Sequence, residues 1–124
     1  MRRRTAPSPE DALSRTLAAL ADPTRRSILE QLSLGPASLT ELARPYAMSQ
    51  PAVSKHVKVL EVAGLVVQEP AGRLGPRRLE LAPLAKAAEW LSAYARIWAA
   101  RLDAFGRRPP ELPRGRPGRR GREP

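Results

Sequence analysis

The chain has 124 residues, which is enough for one domain with a modest core. Its 22 lysines and arginines outnumber 12 acidic residues, and the formal net charge of +10 with a pI of about 11.4 indicates an anionic polymer or surface as partner. The lack of cysteine excludes disulfides, thiolate metal sites and thiol redox switches, and no apolar run approaches the length of a signal sequence core or a membrane span.

Residues 1–9 contain two prolines, three arginines and no periodicity, which predicts a flexible basic arm. A first helix is predicted over residues 10–21, because acidic residues occupy its first turn and leucines recur at helical spacing. These leucines are Leu13, Leu17 and Leu20.

Two further helices are predicted before residue 46. Asp22-Pro23 is typical of an N-cap followed by the first helical residue, and the second helix that it begins ends near Gly35-Pro36. Ser38 and Glu41 have the spacing of a capping box, which opens a short third helix that Pro45 closes. The apolar residues predicted to face the core are Ile28, Leu29, Leu32, Leu39, Leu42 and Ala43.

Ser49 caps a predicted fourth helix, and Gly64 gives its C-terminal stop. The apolar row of this helix is Val53, Val57 and Leu60. The opposite side carries an unusual set of polar residues: Gln50, Ser54, Lys55 and Lys58.

Beyond this helix the period of the pattern changes. Residues 65–69 and 78–81 are predicted as two short strands, joined by the basic loop PAGRLGPR. A long last helix is predicted over 84–105, and the folded domain over 10–106. Residues 107–124 carry seven arginines against two glutamates among many prolines and glycines, which predicts a disordered tail.

These elements predict a mostly α fold with a small β-hairpin, α+β in class, in the order α1-α2-α3-α4-β-β-α5. This is the order of a winged helix-turn-helix domain. The segments DPTRRSILEQL, SLTELA and SQPAVSKHVKVLEVAGLV, followed by the arginine-bearing hairpin, resemble the ArsR-type bacterial transcription repressors over roughly residues 10–105. The resemblance implies a regulator that binds a specific sequence of double-stranded DNA and represses its own operon.

A helix in the major groove brings its first turns to the base edges, where glutamine matches adenine, serine bonds to several bases and lysine suits guanine or phosphate. We expect the wing arginines to contact the backbone or the minor groove, with two hydroxyl residues as further phosphate ligands. The predicted DNA contacts are Thr40, Ser49, Gln50, Pro51, Ser54, Lys55, His56, Lys58, Arg73, Arg77 and Arg78. Each of them is alternatively an ordinary solvated residue.

His56 is the only histidine and has two interpretations. In the family that the sequence resembles, the matching position is usually histidine, which implies a DNA contact. The alternative is a structural role near Val53 and Leu60, with one hydrogen bond. One imidazole without cysteine or a second histidine does not form a transition-metal site, so no metal is expected there.

Four of the five aromatic residues fall on the last helix, which is more than a small core can bury. The leucine row of the first helix has no obvious partner either. We therefore expect a homodimer, as the resemblance also implies, with both terminal helices packed across a two-fold axis. The predicted interface is Leu13, Leu17, Leu20, Trp90, Leu91, Tyr94, Trp98, Leu102 and Phe105. Alternatively, the aromatic residues cover the back of their own domain.

Metal-sensing relatives use cysteines on the third helix or acidic and histidine pairs on the last helix. Here the third helix reads SLTELARPYA, and the last helix has only Glu89 and Asp103 as acids and no histidine. No metal site and no cofactor are therefore predicted, and the effector is unknown. In the tail, the segment 113–117, PRGRP, resembles the core of an AT-hook, with a nonspecific electrostatic arm as the alternative.

An enzyme is not expected. Ser54 and His56 lie two residues apart and point to different sides of a helix, so they cannot form a nucleophile and base pair, and no phosphate-binding loop is present. A protein-interaction module and a nonspecific nucleoid-associated DNA-binding module stay open as alternative functions. The expected location is the bacterial cytoplasm, at the nucleoid.

Overall fold

The computed structural model describes residues 8–69 and 75–106. The chain divides into two units, with the boundary between Ala87 and Ala88. The elements are α1 Pro9–Ala19, α2 Pro23–Leu32, α3 Leu39–Ala43, α4 Gln50–Val62, β1 Val66–Gln68, β2 Arg77–Leu79 and α5 Ala82–Ala104. The predicted order of four helices, a hairpin and a long helix is confirmed.

The first four helices all begin at a polar cap residue: Ser8, Asp22, Ser38 and Ser49. The hydroxyl of Ser8 accepts a hydrogen bond from the Asp11 N–H at 3.0 Å, so α1 begins at Pro9, one residue earlier than predicted. Ser38 and Glu41 form the predicted capping box, with hydrogen bonds of 2.8 and 3.1 Å in the two directions.

The core of the first unit lies among α2, α3, α4 and β1. The largest side chains that are less than 2% exposed are Ile28, Leu42, Val53, Val57, Leu60 and Leu65. The predicted apolar row of α4 is therefore confirmed. From α1 the buried residues are Thr16 and Ala19, whereas the leucine row of that helix is only half buried. One flank of α1 is thus left with apolar side chains that the core does not cover.

The end of α4 is a glycine turn. Gly64 has a φ of +79°, its N–H donates to the Glu61 carbonyl at 2.9 Å, and the Leu65 N–H donates to the Leu60 carbonyl at 2.9 Å. This is a Schellman arrangement, which a residue with a side chain would strain. The predicted stop at Gly64 is confirmed, and the turn leads the chain directly into β1.

The two strands pair antiparallel, with Val66 opposite Leu79 and Gln68 opposite Arg77. Strand β2 begins one residue earlier than predicted, because the backbone of Arg77 also pairs with that of Ala37 through hydrogen bonds of 3.0 and 2.8 Å. The loop between α2 and α3 is thereby bonded to the wing. The tip of the wing, including Arg73, lies outside the described residues.

Helix α5 begins at Ala82, two residues earlier than predicted, because Ala82 and Pro83 are compatible with a first helical turn. In the second unit the rings of Trp90 and Tyr94 stack with centroids 4.8 Å apart, and Trp98 meets Tyr94 edge-on at 6.1 Å. No helix in the described part of the chain is both long and apolar enough to cross a membrane. The predicted tail, residues 107–124, lies outside the described residues.

Candidate nucleic-acid interface

Helix α4 has one buried and one exposed side. Val53, Val57 and Leu60 are at most 1% exposed. On the other side Gln50, Pro51, Lys55 and Lys58 are exposed, and Ser54 is half buried. In the hydrogen bonds and ion pairs of residues 8–69 and 75–106, none of the side chains of Gln50, Ser54, Lys55 and Lys58 takes part. The structure therefore brings together five predicted contact residues on one face, which we call the polar face of α4.

Two predicted phosphate ligands lie at helix starts. Ser49 is exposed, and its hydroxyl oxygen accepts a hydrogen bond from the Ala52 N–H at 3.2 Å. Its hydroxyl proton is left to donate to another group. Thr40 is exposed in the first turn of α3. Backbone N–H groups at helix starts attract anions, so both hydroxyls have a suitable electrostatic setting for a phosphate.

His56 lies on the other flank of α4. At 100° per residue it is about 200° from Ser54 around the helix. Its Nδ1 atom is 3.3 Å from Nη1 of Arg25 and 3.8 Å from a carboxylate oxygen of Asp22, and its side chain is 24% exposed. This geometry fits a structural role for His56 with one hydrogen bond, which was the alternative to a DNA contact. The hydrogen-bond partner is Arg25. No group of three acidic or histidine side chains in the described ranges could hold a metal ion.

Arg25 is a residue that the sequence reasoning missed. Its Nε donates to the Ala19 carbonyl at 2.8 Å and its Nη2 to the Ala18 carbonyl at 3.1 Å, so it satisfies the C-terminal end of α1 while it contacts His56. Its N–H bond also holds the pKa of Asp22 below the usual value, and the charges of His56 and Arg25 lower it further. The signal in the sequence was the pair of arginines that follows Asp22-Pro23-Thr24, where cations meet the end of the preceding helix.

The two described wing arginines are paired with carboxylates. Arg77 contacts Glu61 of α4 at 3.2 Å, and its side chain is only 11% exposed. It joins the wing to α4, whereas the DNA contact expected of Arg77 stays a prediction. Arg78 contacts Glu69 and Glu80 at 3.1 Å each, and these carboxylates, Glu80 foremost, raise its pKa. At 37% exposure these pairs are weak, so a DNA phosphate can compete for Arg78.

The predicted dimer residues form two groups. On α1 the leucine row is half buried, as is Leu102 on α5. The aromatic residues and a neighbouring leucine on α5 are much more open: Trp90 40%, Leu91 48%, Tyr94 45%, Trp98 48% and Phe105 77%. Ile97 is 49% exposed as well, and the prediction omitted it. These exposed apolar side chains are the observation on which a dimer interface can be proposed, and both interpretations of the aromatic residues stay predictions.

The chain is similar in sequence and in structure to known transcriptional regulators. A family model for a helix-turn-helix domain matches residues 20–69. The HTH-type transcriptional regulator Rv2034 of Mycobacterium tuberculosis is 57% identical over 54 residues, which are 44% of this chain and 50% of that protein. The chain thus spans about half the length of the first curated relatives that it matches.

Among solved structures, the crystal structure of an ArsR family transcriptional regulator is similar at 38% identity and a TM-score of 0.66, and the match covers 76% of this chain and 96% of that one. The NMR structure of a homodimeric winged helix-turn-helix DNA-binding domain from Mycobacterium bovis is 23% identical with a TM-score of 0.55. That match covers 76% of this chain and 94% of that one, and it supports the fold.

Proposed function

Because this chain belongs to the ArsR family, a family of transcriptional regulators and not of enzymes, we propose that it binds a specific double-stranded DNA operator through α4 and represses transcription. The observation that carries the proposal is the division of α4 into a buried apolar row and the unpaired polar face. The proposed site of action is the chromosome, in the cytoplasm of a bacterium.

The polar face has the dimensions and the chemistry for the major groove. Helix α4 has 13 residues and is about 20 Å long, and the groove of B-form DNA is about 12 Å wide. Gln50 and Ser54 lie in the first two turns, where a recognition helix meets base edges. Each base contact discriminates against a wrong base by roughly 1–3 kcal/mol. These two residues are therefore the proposed readers of sequence.

The surrounding cations and hydroxyls are the proposed phosphate ligands. Lys55 and Lys58 are exposed, and Arg78 has only weak surface pairs to release. Thr40 lies in the first turn of α3, the helix before the recognition helix, and Ser49 is the N-cap of α4 itself. Such contacts set the position of the protein without reading bases. Arg77 and His56 are left out of the proposed set, because their side chains join α4 to the wing and to α2.

We extend the proposal to a homodimer on an inverted repeat. The support is the row of large apolar side chains on α5, exposed by 40–77%, together with the homodimeric state of the Mycobacterium bovis domain of the same fold. A two-fold dimer presents two recognition helices about 34 Å apart, which matches half-sites one turn of DNA apart. Binding within the promoter of its own operon would repress by excluding polymerase, as the family resemblance implies.

The test is DNA binding by the full chain to genomic fragments, followed by footprinting of the strongest site. Gln50→Ala and Ser54→Ala should each weaken binding to that site by about 1–3 kcal/mol and leave binding to unrelated DNA nearly unchanged. The matched control is Ser14→Ala, because Ser14 is exposed on α1 and should alter neither. Melting temperatures of all variants should agree with that of the parent.

Three outcomes would contradict the proposal in different ways. Equal binding to every fragment, with no protected palindrome, would indicate a nonspecific nucleoid-associated module. The absence of any binding would favour a protein-interaction module. Specific binding that neither substitution weakens would overturn the assignment of the polar face, even if the chain is a regulator.

A further inference from the structure

A groove of about 310 Å³ lies between α1 and α4 within the first unit. Its lining contains the apolar side chains of Ala19, Val59 and Val62 and three cations, Arg15, Arg25 and Lys58, but no carboxylate. Its volume lies at the lower end of the range of small-molecule sites, about 300–1,000 Å³. An apolar surface edged by cations alone is complementary to a small molecule with an apolar body and an anionic group.

Two of the three cations are available to such a ligand. Arg25 is engaged by the carbonyls at the end of α1 and by His56. The side chains of Arg15 and Lys58 are exposed and make no hydrogen bond or ion pair with another residue in the described ranges. A carboxylate between them would gain charge-assisted hydrogen bonds that the free protein lacks.

The apolar part of the lining also lacks cover. Val59 and Val62 are 40% and 60% exposed, although both belong to α4, and Ala19 beneath them is fully buried. Val59 and Val62 do not lie on the apolar row that packs into the core. Burial of exposed valine side chains is favourable, so an apolar ligand body would be stabilised here.

The groove is separate from the proposed dimer surface of α1. Arg15 and Leu17 are two residues apart, so they point about 200° apart around the helix. Pairing of α1 through its leucine row would therefore leave the flank of Arg15 open. The groove does share Lys58 with the polar face of α4.

From these observations we propose that the groove binds an amphipathic carboxylate of the medium-chain fatty acid class, and that its occupancy weakens DNA binding. The second part rests on the proposed function, because Lys58 would serve either the ligand carboxylate or a DNA phosphate. The ligand would thus act as an inducer that withdraws a phosphate contact from the recognition helix.

The binding test uses octanoate with the full chain in titration calorimetry. Octanol has the same chain without the charge, and acetate has the charge without the chain, so both should bind at least about tenfold more weakly than octanoate. Arg15→Gln and Val62→Gln should each weaken octanoate binding by about tenfold without lowering the melting temperature, because both side chains are exposed. Arg96→Gln removes an equal charge from α5 and should leave octanoate binding unchanged.

The second measurement is DNA affinity with and without octanoate. At ten times its dissociation constant, octanoate should weaken binding of the wild-type chain by up to about elevenfold, the limit for mutually exclusive ligands. The effect should be several times smaller in Arg15→Gln and absent with octanol.

Undetectable octanoate binding, or binding that neither Arg15→Gln nor Val62→Gln weakens, would overturn the site. Octanoate binding with unchanged DNA affinity would overturn the regulatory part alone. Failure to bind DNA without octanoate would instead contradict the proposed function, and calorimetry would still decide whether the groove is a binding site.

Discussion

Arg25→Lys tests the residue that joins α1, α2 and α4. The guanidinium of Arg25 donates to the carbonyls of Ala19 and Ala18 at 2.8 and 3.1 Å and lies 3.3 Å from Nδ1 of His56. Lysine keeps the positive charge but replaces a planar fork of five N–H donors with one compact ammonium group. We expect one of the three contacts to survive, because a single nitrogen cannot reach three acceptors that lie in different directions.

The expected loss follows from the number and the exposure of the contacts. A hydrogen bond from a charged donor contributes about 1.5–3 kcal/mol when shielded, and about 1 kcal/mol is appropriate at this half-buried site. Two lost contacts therefore lower the free energy of unfolding by about 2 kcal/mol. For a domain of this size the melting temperature falls by roughly 8–16 °C.

Urea denaturation followed by circular dichroism gives this free energy directly, with the protomer concentration held constant because a dimer is stabilised by its own concentration. Arg26→Lys is the matched control: Arg26 makes one exposed bond, from its Nη1 to the Leu20 carbonyl at 2.7 Å, which lysine can replace. Its expected loss is below about 0.5 kcal/mol. A similar loss in both variants, or a loss below about 0.5 kcal/mol in Arg25→Lys, would refute the role assigned to Arg25.

Three further predictions concern the dimer, the tail and acid stability. Trp90→Ala combined with Trp98→Ala should shift a sedimenting dimer towards monomer, and an unchanged sedimentation coefficient would contradict the proposed interface. Deletion of residues 107–124, with their seven arginines, should make DNA binding less dependent on salt. Only an additional loss of preference for A·T flanks would support the hook. Backbone N–H donors lower the pKa values of Asp22 and Glu41 from their ordinary values of 3.8 and 4.5. These two carboxylates therefore stabilise the folded state above those values, and the stabilisation is lost as pH falls below them. Asp22→Asn with Glu41→Gln should flatten the decrease of unfolding free energy on acidification, and an unchanged slope would contradict this.

Most of the fold could be predicted because its signals are local. A helix-capping residue and its hydrogen-bond partner in the first turn are within four residues of each other, as Ser38 and Glu41 are. The pattern is therefore visible in the sequence alone. The same holds for Gly64, where a backbone turn selects glycine directly. The buried row of α4 follows from helical periodicity, which requires no knowledge of the partner elements.

The contacts that the sequence could not predict join charged residues to partners that are distant in sequence. Arg77 and Glu61 are 16 residues apart, and Arg25 and His56 are 31 apart. A sequence shows that a residue is charged, but the distance to its partner is set only by the packing of the helices and the wing. For this reason the sequence does not reveal the ion pair of Arg77 with Glu61, nor that the hydrogen-bond partner of His56 is Arg25. The strand ends were misplaced for a related reason, because the pairing of Ala37 with Arg77 is also non-local.

These distant pairs determine what α4 can present to a ligand. Its apolar row is buried, its His56 flank contacts Arg25 of α2, and Glu61 near its C-terminus contacts Arg77 of the wing. The polar face, together with the exposed Val59 and Val62, is therefore left open in the described ranges, on a helix that is held from several directions. A helix held in this way loses little further freedom on binding, so the free energy of new polar contacts would go into affinity and base discrimination. Arg25 and Arg77 thus support the proposed DNA recognition although neither is among the proposed DNA contacts.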